Sequence, residues 1–368
     1  MNTVGPEANT AALLRPKQVR MQQADQWRRS LIAALLTQTD KPLEDVASNV
    51  GLADVDELVN ETNRLCGRSP VDLRQSESTQ LESPLPLDTI ILRLPVNGAY
   101  NYDWVFGYLQ GRALHNIEEV SGHCYRRRIS LAGTPAHWIE VKVHRGALLA
   151  SIPLYSIPAV ELLARIQRLF DLGVDGDEID RGLIDANSTL IGESVAEAPG
   201  LRVPGAWDGF ETMVRALLGQ QVSVDRGTEL ANRMIDTYGQ GDFPKPEQLV
   251  DREIAELGMP GNRGRAISAL AGWVATENHA LLEGVASEHF VSQIGQIKGI
   301  GPWTQNYMRL RVVKDPDAFP HNDWVVLKQL DTTPARALRQ SEEWRPWRAY
   351  ALMHIWRLAG LKRKTKKD

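Results

Sequence analysis

The feature that most constrains this chain is a Gly-Ile-Gly turn, Gly299-Ile300-Gly301, between two segments with apolar residues at helical spacing. Glycine tolerates a left-handed backbone and lets another chain approach closely. Pro302 suits the first turn of a helix, where its missing N–H costs nothing. The sequence therefore predicts two helices joined by a tight hairpin. The free amides and the positive dipole end of the second helix form a site suited to phosphate.

Two aromatic residues and one acid follow the turn. Trp303 and Tyr307 are four residues apart, so we expect them on one helix face. A loop then leads through Phe319-Pro320 to Asp323. Aspartate is a favoured N-cap, and here it precedes a helix predicted to begin at Trp324. A carboxylate shielded from water also stabilises developing positive charge. On this residue alone we favour the capping role, and a catalytic role is compatible with it.

The phrase Lys298-Gly299-Ile300-Gly301-Pro302-Trp303-Thr304, followed by Phe319-Pro320-x-x-Asp323, resembles the helix-hairpin-helix signature of DNA glycosylases. It is most similar to AlkA-type 3-methyladenine DNA glycosylases. Three other parts of the chain resemble the same family: 202–205 with Phe210-Glu211, 215–223, and 347–357. The resemblance covers residues 85–360.

The resemblance implies an α+β fold, in which a small antiparallel, TATA-binding-protein-like subdomain precedes an all-α helix-hairpin-helix core. Strand-like runs at 90–94, 138–143 and 148–152 and helical patterns at 102–109, 157–172 and 207–360 agree with it. We divide the chain into a disordered N-terminus (1–20), a short helical AraC-like helix-turn-helix module (21–76), a linker (77–86), an AlkA N-terminal-like α+β subdomain (87–195), the glycosylase core (196–361) and a basic tail (362–368).

The family reaction flips an alkylated purine, of the 3-methyladenine or 7-methylguanine type, out of duplex DNA and hydrolyses its C1′–N bond. Asp323 matches the family's catalytic Asp, which stabilises an oxocarbenium-like sugar and orients or deprotonates water. Related glycosylases that also cut the backbone carry a lysine two residues after the last hairpin glycine. Trp303 stands there, which implies a monofunctional enzyme that leaves an abasic site.

Trp303, Tyr307 and Trp356 match the aromatic walls of the family's base pocket, and electron-rich rings attract cationic bases by about 0.5–2 kcal/mol each. Gln221 falls where the best-known members place a leucine that fills the gap left by the flipped base; the alternative is a polar residue at a helix end. The residues that we expect to bind DNA are Gly299, Ile300, Gly301, Thr304, Gln220, Gln221 and Ser223. Gln220 and Ser223 would either donate to phosphate or cap a helix, and Arg263 and Arg265 would contact either DNA or solvent. We predict that His354 is a buried, hydrogen-bonded core residue.

The N-terminal module resembles the second helix-turn-helix of AraC-type regulators through residues 42–52 and 67–70. Leu52 stands where phenylalanine is usual. The would-be recognition helix, 54–64, has one basic residue, Arg64, and four acids that would repel phosphates: Asp54, Asp56, Glu57 and Glu61. We interpret this segment as a relic or a docking module, with DNA reading as the alternative. The zinc-bound cysteine set of Ada-type modules, which are fused to some AlkA-like enzymes, is absent.

Because the net charge is −4, any DNA affinity must come from a local basic patch or from backbone contacts. With two distant cysteines, Cys66 and Cys124, we expect reduced thiols, no metal and no cofactor. The resemblance leaves open a monovalent cation between the hairpin carbonyls and a phosphate. The expected partner is double-stranded DNA with alkylated bases. We further expect a monomer, no membrane segment, and a cytoplasmic, nucleoid-associated location.

For Arg126-Arg127-Arg128 we favour a solvated strand edge. The alternative functions are a DNA-binding regulator of the alkylation response and a glycosylase for oxidised bases.

Overall fold

The computed structural model describes residues 24–75, 88–129, 136–154, 157–186, 188–276 and 287–364. The predicted disordered N-terminus and the predicted linker at 77–86 lie outside the described residues, as do the last four residues of the basic tail. Helices and strands occur as the prediction of an α+β fold requires, and that prediction is confirmed. None of the helices in the described ranges combines the length and apolarity needed to cross a bilayer.

Five strands form one sheet in the order β1-β5-β4-β3-β2. Their bounds are β1 Thr89–Leu94, β2 Glu118–Ser121, β3 Cys124–Ile129, β4 His137–His144 and β5 Ala147–Pro153. Every pairing with a described register is antiparallel. Alternation sets that register, since the buried Ile90, Leu92 and Leu94 of β1 lie opposite buried residues of β5. The three strand predictions are confirmed.

One compact unit lies within residues 1–95 and 129–164. It holds β1, β4, β5 and the helical N-terminal segment: α1 at 24–38, α2 Leu43–Asn49, α3 Val55–Cys66 and α4 Pro70–Gln75. The side chain of Gln38 accepts from the backbone N–H of Ile91 at 2.8 Å and donates to its carbonyl at 2.9 Å. Lys41 pairs with Asp88 at 3.3 Å. The helical segment is therefore docked on the strands of its own unit.

Helix α3 begins at the predicted place, with Asp54 as its N-cap, and ends at the left-handed Gly67. Its single basic side chain, Arg64, donates to both carboxylate oxygens of Asp25, at 2.9 and 2.7 Å, and also to Glu61. Because two carboxylates already neutralise this guanidinium, helix α3 offers little positive charge to a phosphate.

The second unit lies within residues 96–128 and 165–368 and carries most of the helices. After α5 Tyr102–Gln110 and α6 Ala159–Phe170, which spans the division at 164, they are α7 Gly176–Asp185, α8 Thr189–Glu197, α9 Gly209–Leu218, α10 Val224–Tyr238, α11 Pro246–Leu249, α12 Gly261–Thr276, α13 Ser287–Ile294, α14 Pro302–Met308, α15 Trp324–Leu330, α16 Pro334–Gln340 and α17 Arg348–Lys364. Short 3-10 turns cover Ile254–Leu257 and Ser341–Trp344, and a π turn, Arg309–Val313, continues α14. The helical patterns predicted at 102–109, 157–172 and 207–360 are confirmed in the described parts of these ranges.

Two apolar clusters hold the continuous helix formed by α14 and the π turn. Met308 and Val312 belong to the first cluster, with residues of α9, α10 and α12. Leu310 belongs to the second cluster, with Phe319, Val326 and residues of α8 and α17. Because this helix contributes to both cores, the side chains that it carries are fixed in position.

The prediction of a solvated edge at Arg126-Arg127-Arg128 is wrong for Arg127. This side chain is only 5% exposed and pairs with Glu118 at 3.1 Å and with Glu211 of α9 at 2.5 Å. A buried guanidinium needs hydrogen-bond acceptors. Here the pair with Glu118 joins β3 to β2, and the pair with Glu211 joins β3 to α9.

Candidate active site

The hairpin between α13 and α14 has the conformation that its glycines predict. Gly299 has a φ of +104°, and a Cβ added there would meet the Cβ of Ala266 at 2.7 Å. Gly301 caps α14 with an ordinary φ of −85°, and a Cβ there would have free space. Among the described residues, the amides of Gly299 and Gly301 donate to no protein acceptor. The side chain of Ile300 is buried, so only its backbone is available to a ligand.

Asp323 lies at the start of α15 and is 6% exposed. One carboxylate oxygen, Oδ1, accepts from the backbone N–H of Val326 at 3.0 Å and from the indole of Trp356 at 3.4 Å. The other oxygen, Oδ2, accepts from the indole of Trp303 at 2.7 Å. The capping role predicted for Asp323 is confirmed, and donors from α14, α15 and α17 fix the carboxylate.

The predicted aromatic wall is assembled beside this carboxylate. The rings of Trp303 and Tyr307 stack with centroids 5.2 Å apart and an interplanar angle of 17°. The ring of Trp356 lies 6.5 Å from that of Tyr307, at 39°. The shared helix face expected for the first pair is confirmed, and α17 brings the third ring to the same place.

A group that the sequence did not single out stands behind Tyr307. The hydroxyl of Tyr108, from α5, lies 3.3 Å from that of Tyr307 and accepts from Arg311. The guanidinium of Arg112 lies 3.7 Å above the Tyr108 ring. The sequence did hold a signal, because Tyr108 follows Trp104 by four residues and so shares its helix face.

Gln220 ties the loop after α9 to the hairpin. Its amide nitrogen donates to the carbonyl of Gly299 at 3.1 Å and to the buried hydroxyl of Thr304 at 2.8 Å. Arg263, also buried, donates to the carbonyls of Leu218 and Gln220. The side chains of Thr304 and Arg263 are thus occupied within the protein, where they hold the loop in shape.

The next residues of this loop are exposed. Gln221 has a φ of +57°, an uncommon conformation for a residue other than glycine and one found often at functional sites. Val222 and Val224 expose 36% and 46% of their surface. Ser223 caps α10 by accepting from the amide of Arg226 at 3.2 Å, as one of its two expected roles requires.

Comparison with known proteins connects this geometry with a family. Residues 91–208 match the AlkA N-terminal domain. Over 348 residues the chain is 34% identical to the probable bifunctional transcriptional activator/DNA repair enzyme AlkA of Mycobacterium tuberculosis, with 88% of this chain and 68% of that protein covered. It is 33% identical over 283 residues to DNA-3-methyladenine glycosylase 2 of Escherichia coli, with 71% and 95% covered. The chain belongs to the AlkA family of DNA-3-methyladenine glycosylases. The resemblance drawn from the hairpin and Asp323 is confirmed.

A solved structure shares the fold of this AlkA-family chain. The 3-methyladenine DNA glycosylase from Archaeoglobus fulgidus superposes with a TM-score of 0.62 at 17% sequence identity. The match covers 73% of this chain and 98% of that one. At this identity, the likeness concerns the fold alone.

Other acids near the AlkA-family hairpin are already paired with arginines. Asp315 pairs with Arg309 at 2.5 Å, and Asp317 pairs with Arg348 at 2.7 Å and with Arg345. Asp323, by contrast, forms no ion pair with lysine or arginine among the described residues. Its partners are neutral N–H groups, which orient the carboxylate without cancelling its charge. Such a carboxylate can stabilise a cation that forms beside it.

His354 of α17 is buried, at 1% exposed, and its Nδ1 is hydrogen-bonded to the hydroxyl of Ser194 at 3.0 Å. Burial, with a smaller contribution from the nearby Arg357 guanidinium, lowers the pKa of His354 to about 3. The prediction of a satisfied core histidine is confirmed.

Proposed function

We propose that this protein is a monofunctional DNA glycosylase that flips alkylated purines, of the 3-methyladenine or 7-methylguanine type, out of duplex DNA. It hydrolyses the bond between the base and C1′ and leaves an abasic site for base excision repair. The observation that carries the proposal is the Asp323 carboxylate, held by the indoles of Trp303 and Trp356 beside the stacked aromatic wall. Membership of the AlkA family supports it.

We propose that Asp323 faces the sugar of the flipped nucleotide. When the C1′–N bond breaks, its electron pair stays with the base and the sugar becomes positive at C1′ and the ring oxygen. A fixed, unpaired carboxylate stabilises that charge, and water then adds to C1′ and loses a proton. Trp303 occupies the place of the amine that would attack C1′ in a lyase, so the expected product keeps an intact DNA strand.

We propose that the aromatic wall stacks on the flipped base. A purine alkylated at N3 or N7 carries a formal positive charge, and an electron-rich ring attracts such a cation by about 0.5–2 kcal/mol. A cationic purine is also a good leaving group. A stacking pocket can therefore select damaged bases with few hydrogen bonds.

We propose that the hairpin binds the DNA backbone, because the free amides of Gly299 and Gly301 suit a phosphate. Gln221, exposed on a left-handed turn, is our candidate for the residue that fills the gap left by the flipped base. We expect a monomer to suffice, since all the assigned residues belong to one compact unit, and we expect the enzyme to work at the chromosome.

The test is base release from duplexes that contain 7-methylguanine, followed by assay for strand breaks before and after alkali. Asp323→Asn should slow release by about a hundredfold or more, because it removes the charge that faces the sugar. Asp331→Asn is the matched control, since Asp331 is exposed and left-handed at the other end of α15, and asparagine tolerates that backbone.

The alternatives give different results in the same assay. Equal release by wild type and Asp323→Asn contradicts the assignment of Asp323. Faster release of 8-oxoguanine than of 7-methylguanine favours the oxidised-base alternative. Sequence-selective DNA binding without release of any base favours a regulator, although the neutralised Arg64 of helix α3 argues against that function.

A further inference from the structure

A chain of hydrogen bonds leads from a buried cation to the aromatic wall. Arg311, in the π turn after α14, is 6% exposed and donates to the hydroxyl of Tyr108, which is 7% exposed. The hydroxyl of Tyr108 lies 3.3 Å from that of Tyr307. The second terminal nitrogen of Arg311 donates to the carbonyl of Gly205 at 3.1 Å, which holds the guanidinium in place.

The donor and acceptor chemistry of these groups sets the direction of the hydrogen bonds. Arginine only donates, so the oxygen of Tyr108 must accept from Arg311. If Tyr307 also donated to Tyr108, the proton of the buried Tyr108 hydroxyl would have no acceptor among the described residues. A buried donor without a partner costs about 1–3 kcal/mol. Tyr108 therefore donates to Tyr307.

This direction leaves the proton of Tyr307 available. The side chain of Tyr307 is half-buried, and in the described part of the chain its hydroxyl has no acceptor other than Tyr108. Its ring stacks on Trp303, whose indole binds Asp323. The free donor thus belongs to the same wall as the carboxylate assigned to the sugar.

Positive charge surrounds the start of the chain. The guanidinium groups of Arg112 and Arg311 lie 3.7 and 4.5 Å from the centroid of the Tyr108 ring. Neither forms a salt bridge with a carboxylate in the described ranges. Burial lowers the pKa of Arg311 to about 9, so this group stays protonated at neutral pH. A charged donor at the start of a hydrogen-bond chain strengthens the donor at its end.

We propose that Arg311, acting through Tyr108, orients the Tyr307 hydroxyl as a hydrogen-bond donor to an acceptor atom of the flipped base, and that this donor serves neutral damaged purines in particular. The inference rests on the proposed glycosylase function. Tyr307 contacts the base, and Tyr108 and Arg311 are positioning residues.

Leaving-group chemistry separates the two kinds of substrate. An N3- or N7-alkylated purine is cationic, so it departs as a neutral molecule once the C1′–N electron pair stays with it. A neutral purine departs with negative charge on its ring, which a hydrogen-bond donor and nearby cations stabilise. Water supplies the oxygen that bonds to C1′ and the proton that finally neutralises the base. The hydrogen bond from Tyr307 transfers no proton itself.

The test is a double-mutant cycle read on two substrates. Single-turnover excision rates are measured on duplexes that differ only in the lesion, cationic 7-methylguanine or neutral hypoxanthine, which offers oxygen and nitrogen acceptors. The readout is the ratio of the hypoxanthine rate to the 7-methylguanine rate. Because each ratio compares two substrates on one enzyme sample, loss of some folded protein cancels. Tyr350→Phe is the matched control, since this buried hydroxyl bonds to Asp171 instead.

We expect Tyr307→Phe to lower the ratio about tenfold and Tyr108→Phe to lower it about threefold, the size of one neutral hydrogen bond or less. The double variant should match Tyr307→Phe alone, because Tyr108 acts through Tyr307. The control should leave the ratio unchanged.

Three results overturn the inference while leaving the proposed function intact. They are an unchanged ratio in Tyr307→Phe, effects of the two substitutions that multiply in the double variant, and release of 7-methylguanine but not hypoxanthine by the wild type. Release of neither base by the wild type overturns the proposed function, and the inference with it.

Discussion

The indole N–H of Trp303 donates to the Asp323 carboxylate at 2.7 Å, across a separation of 20 residues. The residue that stands in the place of a lyase lysine therefore also orients the acid. One side chain of α14 supplies a stacking face through its ring and a fixed donor through its nitrogen. This relationship couples the base pocket to the group assigned to the sugar.

Trp303→Phe tests that coupling. Phenylalanine keeps an aromatic face but lacks the N–H, so the carboxylate loses its shortest hydrogen bond. A hydrogen bond to a charged group contributes about 1.5–3 kcal/mol, and we expect the single-turnover excision rate to fall by about ten- to a hundredfold. Trp273→Phe, at a partly buried indole packed on the first apolar cluster, is the control. If both variants keep the wild-type rate, the indole does not orient the acid.

Gly299→Ala should damage the hairpin. Its φ of +104° strains any other residue, and the new Cβ would meet that of Ala266 at 2.7 Å. We expect the free energy of unfolding to fall by about 1–3 kcal/mol and DNA affinity to fall with it. Denaturant titration and fluorescence anisotropy on duplex DNA measure the two effects. Gly301→Ala, where the Cβ has free space, should keep the stability; an equal loss in both variants contradicts the geometric argument.

Gln221→Gly separates backbone strain from the gap-filling role. Glycine suits the φ of +57°, so the relief of about 1–2 kcal/mol of left-handed strain should offset the roughly 0.5–1 kcal/mol of chain entropy that glycine costs, and stability should not fall. Excision from duplex DNA should nevertheless slow by about tenfold, because nothing fills the space of the flipped base. Excision from a single strand, which has no such space, should change little. A similar slowing on both substrates argues against gap filling.

The buried His354 predicts a pH dependence of stability. Its pKa of about 3 in the folded protein lies below the ordinary value of 6.5, so the unfolded chain binds more protons between these values. The contribution of His354 to the free energy of unfolding is therefore fully present above pH 6.5. It is lost as the pH falls, by at most about 1.4 kcal/mol per pH unit. Denaturant unfolding between pH 7.5 and 5 should show a steeper loss in wild type than in His354→Leu. Equal slopes contradict the prediction.

The contact between Gln38 and Ile91 predicts that the N-terminal helices stabilise their unit. Gln38→Ala removes two hydrogen bonds to the β1 backbone and should lower the free energy of unfolding by about 1–3 kcal/mol. DNA affinity should stay at the wild-type value. Gln26→Ala, on the exposed face of α1, is the control. A loss of DNA affinity without a loss of stability supports the DNA-reading role of the module.

Sequence patterns predicted the local elements well. Helical spacing located α5 and α14, the capping preference of aspartate located the start of α15, and alternation located β1, β4 and β5. Arg127 was misjudged because alternation along β3 does not reveal which carboxylates from other elements meet it. The boundaries of the proposed domains remain predictions.

The sequence by itself determined the hairpin, the family, and the candidate acid and rings, because each depends on short-range spacing. Only the tertiary structure decided what surrounds them. Tyr108 and Arg311 are 203 positions apart, and no local pattern brings them together. Packing of α5 against the helix that begins at Pro302 does so. A buried arginine needs an acceptor wherever the fold places it, and here the acceptor is a tyrosine behind the base pocket.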